Sequence, residues 1–139
     1  MRDATQADRQ AVIDTVQGLF DAFAAKDEQA MRRLFHPEAQ VIDVKPGGVV
    51  NVRDGGVDAE VRGVLNAKAA LEERMYNPQV HVAGDLATLW AAYEFLTDGQ
   101  LSHCGTDTVQ LVRDAAGWRI LVLTFTIETE GCDRSRLRP

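Results

Sequence analysis

A chain of 139 residues, 45% of them hydrophobic, is long enough to bury a core of its own and falls within single-domain size. Its formal charge of -6 opposes a nucleic-acid partner, because phosphate contacts draw their affinity from Lys and Arg. No apolar run reaches the roughly 18–20 residues of a membrane span, and the start MRDATQADRQ lacks the apolar stretch of a secretion signal, so no membrane association and a cytoplasmic location are expected.

Val12, Val16, Leu19, Phe20 and Phe23 recur at three- and four-residue intervals, which places them on one stripe of a first helix. Thr5 followed by Asp8 matches a capping box, in which a hydroxyl and a carboxylate satisfy amides left over by the first turn. Asp27 caps a second, shorter helix with Met31, Leu34 and Phe35 inward. His36-Pro37 stops it, since proline disfavours the helical conformation in the residue before it.

Gln40 to Val44, the turn Lys45-Pro46-Gly47-Gly48 and Val49 to Arg53 predict a hairpin. A helix over 56–73 is expected around Val57, Val61, Val64 and Leu65. From about Met75 the pattern alternates, broken at Gly84-Asp85, Asp98-Gly99 and Ala115-Ala116-Gly117, and predicts four antiparallel strands. The expected class is α+β, with a curved antiparallel sheet wrapped around the N-terminal helices. One domain spans 1–139, with an ordered core of 5–131 and a tail of 132–139 in which Arg134, Arg136 and Arg138 read as a solvated, mobile end.

Two hairpin turns propose a register for the long strands. Asp98-Gly99 tolerates the positive φ of a two-residue turn, so Thr97 faces Gln100, Glu94 faces His103, Ala92 faces Gly105 and Trp90 faces Asp107. Gly84-Asp85 likewise sets His81 opposite Thr88, Gln79 opposite Trp90 and Asn77 opposite Ala92. Alternation then gathers Trp90, Glu94, His103 and Asp107 on one polar face, joined by Asn77 and Gln79. The other face carries Leu89, Ala91, Tyr93 and Phe95 and needs cover, for which a second copy of the chain is the simplest source.

A polar cluster under helices implies a cavity for a small organic ligand, neutral or cationic, with Trp90, Asn77, Gln79 and Phe20 as its wall. His103 beside Glu94 and Asp107 is either a general acid/base or a member of a structural hydrogen-bonded trio. Trp90 reads as core or as a stacking platform, His81 as surface, and His36 as part of a turn. Asp43, between Ile42 and Val44, points either inward or into the following turn.

Cys104 falls on the face opposite His103 and so does not form a nucleophile pair with it. Cys104 and Cys132 lie several residues out of register on neighbouring strands, which argues against a bridge. No CxxC, HExxH, Walker loop, GxGxxG or GxSxG occurs, so neither a metal nor a cofactor is expected.

The order of helix, short helix, FHPEA, hairpin, helix and long strands resembles the nuclear transport factor 2-like superfamily, also called SnoaL-like or cystatin-like, over almost the whole chain. More narrowly, HVAGDLATLWAAYEF, DGQLSHCGTDTVQLV, GWRI and EGC are similar to a bacterial branch related to proteins labelled lumazine-binding. The resemblance implies a cone-shaped single domain with a pocket. Ketosteroid isomerase, a member, places an aspartate base after a segment similar to LFHPEAQVID, which matches Asp43, but its phenolic donor falls at Leu19. Steroid isomerisation by that route therefore lacks its oxyanion donor. The expected function is a pocket acting on a small molecule, with proton transfer by His103 or Asp43 as the class of any chemistry. The alternative is a non-catalytic dimeric binding or regulatory module.

Overall fold

The computed structural model describes residues 5–132. Helix α1, Gln6–Ala25, opens on the expected box, with the Thr5 hydroxyl accepting from the Asp8 amide and Asp8 Oδ2 accepting from the Thr5 amide, both at 3.0 Å. Helix α2, Glu28–Leu34, is capped by Asp27, whose carboxylate accepts from the Ala30 amide at 3.1 Å. It ends before Phe35, where the chain becomes extended and enters β1, Phe35–Lys45. The hairpin to β2, Val49–Val52, closes with Lys45 opposite Val49.

Helix α3 spans Gly56–Asn66 and is shorter than the expected 56–73. Strand β3, Leu71–Ala83, takes over the missing turns and starts well before Met75. Pairing with β4, Leu86–Thr97, outcompetes the helix. Leu71 pairs with Thr97, and Ala70 exchanges bonds with Asp98, its carbonyl accepting from the Asp98 amide at 2.8 Å and its amide donating to Oδ1 at 2.9 Å.

Strands β5, Gln100–Asp114, and β6, Gly117–Thr126, complete a six-stranded sheet in the order β2-β1-β6-β5-β4-β3. The pair β1–β6 is parallel, so the sheet is mixed rather than wholly antiparallel.

The α1 stripe is buried throughout, from Val12 to Phe23, and packs with Ala87, Leu89, Ala91, Val109, Leu111, Ile120 and Leu123 of the sheet in one core. Each Val, Leu, Ile or Phe side chain among them contributes roughly 1.5–3 kcal/mol when fully removed from water. The helices thus cover the face bearing Leu89, Ala91 and Tyr93, which the sequence reading assigned to a second copy.

Both long hairpins turn where expected, and Thr97 faces Gln100. One residue later the register slips. Leu96 pairs with Leu101 and Phe95 with His103, leaving Ser102 as a bulge. Glu94 therefore faces Cys104 instead of His103, Ala92 faces Thr106 instead of Gly105, and Trp90 faces Thr108 instead of Asp107. Because side chains alternate with period two, one extra residue moves everything beyond it to the other surface.

A second bulge lies in β3. Gln79 faces Trp90 and His81 faces Thr88 as expected, but Tyr76, not Asn77, pairs with Ala92. Asn77 adopts a left-handed φ of 53°, and Pro78 next to it has no amide to offer a ladder.

Gly105 is required where the sheet closes on β6. A Cβ there would run into the Thr126 carbonyl oxygen and hydroxyl. Those same atoms are already engaged, the carbonyl accepting from the Tyr93 hydroxyl at 2.5 Å and the hydroxyl from the Thr106 amide at 2.9 Å.

Beyond β6 the backbone of Glu128 pairs with Cys104, each amide donating to the other's carbonyl at 2.9 Å. The chain then reverses through Gly131, at a φ of 70°, and Cys132 forms a disulfide with Cys104 across a Cα separation of 5.8 Å. The bridge is a correction to the sequence reading. That reading extended the strand straight through Cys132, whereas the reversal brings it back over its partner. Arg134, Arg136 and Arg138 lie outside the described residues.

Candidate functional site

A cavity of about 360 Å³ opens between α3, the end of α1 and the concave face of β3 to β6. Its walls include Phe23 from α1, Glu60 and Val64 from α3, Glu73 from β3, Tyr93 and Phe95 from β4, His103 and Asp107 from β5, and Phe125 from β6. The volume sits near the lower end of the roughly 300–1,000 Å³ usual for small-molecule sites.

Asp107 is 1% exposed, and no N–H or hydroxyl of the described residues reaches its Oδ2. The group facing it is the carboxyl of Glu73, and the two share a hydrogen bond when one holds a proton. Burial pushes Asp107 up to about 6, against a smaller downward pull from the Glu73 bond. Glu73 is raised well above the usual carboxylate range by burial, then by the Asp107 charge and the shared bond. Two facing carboxyls in an apolar enclosure cannot both ionise cheaply, so they hold one proton between them. The balance of causes leaves that proton on Glu73 and the charge on Asp107.

His103 stacks on Phe95 at 4.9 Å and 16° and meets Tyr93 edge-on at 5.8 Å. Burial lowers its pKa, which favours the neutral imidazole. The Tyr93 hydroxyl is held protonated by burial first and then by the Asp107 charge. Arg53 and Glu60, also in the wall, form an ion pair with each other.

Asp43 is 5% exposed and belongs to the same concave surface. It pairs with Phe125, which pairs with Asp107, so the two aspartates flank that ring in one row. Asn51 donates to Asp43 Oδ2 at 3.0 Å, while Oδ1 finds no donor. Of the two orientations open to Asp43 in the sequence, inward or into the following turn, the structure has the buried one.

The structure thus brings His103 and Asp107 together with Glu73 and separates them from the rest of the expected patch. Glu94 is fully buried on the opposite surface, where the Tyr76 hydroxyl donates to its Oε1 at 2.5 Å and Arg74 lies 3.6 Å away. Trp90, 58% exposed, and Gln79 share that outer surface. Asn77 sits exposed in the β3 bulge. Phe20 is core, tilted against Phe23, which is the ring that reaches the cavity.

Glu73 escaped the sequence reading because it fell inside the expected helix. Its signal was the alternation Leu71, Glu73, Met75, which continues the strand pattern N-terminally. Among the described residues no group of His, Cys, Asp and Glu is arranged to hold a metal ion. No helix among them is long and apolar enough to cross a membrane.

No curated protein matches the sequence. Solved structures show the same fold. A protein of unknown function with a cystatin-like fold from Nostoc punctiforme superposes with a TM-score of 0.75 at 10% identity, covering 93% of this chain and 97% of that one. A protein from Novosphingobium aromaticivorans, provisionally assigned as an aromatic ring hydroxylase, gives 0.74 at 20% identity over 90% and 92%. One from Streptomyces avermitilis, provisionally assigned as a dehydratase of the NTF2-like family, gives 0.69 at 19% identity over 88% and 96%. At these identities the likeness establishes architecture alone. The SnoaL-like domain model matches residues 4–124 of the sequence, and the chain belongs to that family.

Proposed function

We propose that the chain binds a small organic molecule in this cavity and moves a proton on it, as an isomerase, cyclase or lyase does. The observation that carries the reading is the Glu73–Asp107 pair, an acid and a carboxylate side by side in an apolar enclosure. Glu73 donates, Asp107 accepts, and neutral His103 stands at the same wall as a second acceptor. Asp43, across the Phe125 ring, supplies a further carboxylate on the same surface. The dehydratase assignment of the Streptomyces avermitilis protein points to the same class of chemistry.

Solvent-deuterium exchange tests the reading without a known substrate. Small aryl ketones and β-hydroxy ketones, with and without an amine, are incubated in heavy water, and exchange next to the carbonyl is followed by NMR. General acid/base catalysis contributes roughly 10²–10⁴-fold, so Asp107→Asn is expected to lose at least about 100-fold relative to the parent chain. Equal exchange by both proteins would remove the catalytic reading and leave a binding pocket.

We also assign a homodimer contact to the outer sheet surface, where Trp90 and Leu86 of β4 stand 58% and 51% exposed. Contiguous exposed apolar surface marks a partner whereas single exposed side chains are ordinary, so the assignment rests on these two sharing one face of one strand. Sedimentation at micromolar concentration is expected to give twice the chain mass, and a purely monomeric mass would dismiss the contact.

A further inference from the structure

We propose that the cavity selects a small organic cation, an arylalkyl amine whose ammonium pairs with Asp107 and whose ring lies between Phe95 and Phe125. This deepens the reading above by naming a ligand class for the same site.

The charge inventory of the cavity wall is one-sided. Arg53 is taken up by Glu60, and His103 is held neutral by burial. What remains is the Glu73–Asp107 pair, with its charge on an aspartate that is 1% exposed and has no donor at Oδ2. Asp43 on the same surface also keeps one oxygen without a donor.

An anionic ligand would enter against these charges with no cation to receive it. A wholly apolar ligand would fill the space but leave the Asp107 oxygen dry and unpaired. An ammonium answers both demands, supplying N–H donors and the missing positive charge. Tyr93, Phe95 and Phe125 add electron-rich ring faces, which attract a cation as well as an aromatic body. A volume of about 360 Å³ limits the ligand to single-ring size.

The shared proton strengthens the case. Because Glu73 keeps it, Asp107 can pair with the ammonium while the neighbouring acid stays available to the reacting end of the molecule. Cation recognition and proton donation fall on different members of the pair and do not compete.

Titration calorimetry on the full chain with 2-phenylethylamine, 2-phenylethanol and phenylacetate tests the proposal. The amine is expected to bind at least about tenfold tighter than the alcohol, and phenylacetate not to bind. Asp107→Asn should abolish the amine's advantage over the alcohol, and Glu73→Gln, which keeps the aspartate charge, should preserve it. Alcohol or acid binding as tightly as the amine, an amine preference that survives Asp107→Asn, or no binding of any of the three would each overturn the proposal. Deuterium exchange separates this from the catalytic reading. Amine selectivity without exchange removes catalysis alone, and exchange without amine selectivity removes the ligand class alone.

Discussion

Asp107→Asn is expected to make the protein more stable, by about 2–3 kcal/mol at about pH 8, and to leave stability unchanged at about pH 3. The sign follows from burial. The folded chain holds Asp107 at about 6, against an ordinary value of 3.8. A carboxyl raised in this way binds its proton more tightly when folded. Its contribution is fully present below the ordinary value and is lost as pH rises through the folded one. The interval between 3.8 and about 6 corresponds to an upper bound of about 3 kcal/mol. Asparagine cannot ionise and still offers Glu73 a partner, so it avoids the loss. Urea unfolding of both proteins across that pH range measures it. A parent chain whose stability stays flat between about pH 4 and pH 7, or a variant weaker than the parent at about pH 8, would refute the paired-carboxyl description.

This result separates a site from a scaffold. A carboxylate that only organises the fold is satisfied by donors, and its removal destabilises. Glu94 stands nearer that description, since its Oε1 receives the Tyr76 hydroxyl at 2.5 Å and lies 3.6 Å from Arg74. Asp107 does not, because no N–H or hydroxyl reaches its Oδ2 and the group facing its carboxyl is another acid. Keeping a charge at a cost to stability is how binding and catalytic groups behave. The two acids that the sequence reading grouped into one trio therefore differ in what faces them, a phenol and a guanidinium for Glu94 and a second carboxyl for Asp107.

Caps, turns and the α1 stripe were legible because each is a local signal. Thr5 with Asp8, Asp27, and the two-residue turns at Gly84-Asp85 and Asp98-Gly99 need only their neighbours. The site was less legible because two single-residue bulges decide which surface each side chain joins. Ser102 does not announce a bulge by type, and Asn77-Pro78 does so only as a break in the β3 ladder that a count from the turn passes over. A trace of the first did exist in the pattern. Val109 and Leu111 alternate with Asp107 on β5, and two apolar residues belong with Leu89 and Ala91 rather than with an exposed indole. That conflict between the turn-derived register and the apolar pattern could be resolved only by an extra residue between the turn and Asp107. The parallel pairing of β1 with β6 carried no such trace, since it joins strands far apart in the sequence with no turn between them to set a register.

Opening the Cys104–Cys132 bridge, by reduction or as the double variant Cys104→Ala with Cys132→Ala, is expected to lower the unfolding free energy by about 3.5 kcal/mol. The link spans 28 residues, and cross-linking a loop of that length removes conformational freedom mainly from the unfolded chain. The folded chain should respond only locally. Cys104 and Glu128 exchange two backbone bonds at 2.9 Å beside the bridge, and Glu94 is the cross-strand neighbour of Cys104. Amide exchange at Cys104 and Glu128 should therefore accelerate while the α1 amides, on the other surface, keep their protection. Thiol alkylation followed by intact-mass measurement, on protein prepared without reductant, reads the state of the bridge directly. Two alkylated cysteines in the folded protein, or a double variant as stable as the parent, would show that the C-terminal turn is held by its backbone pairing with β5 and not by sulfur.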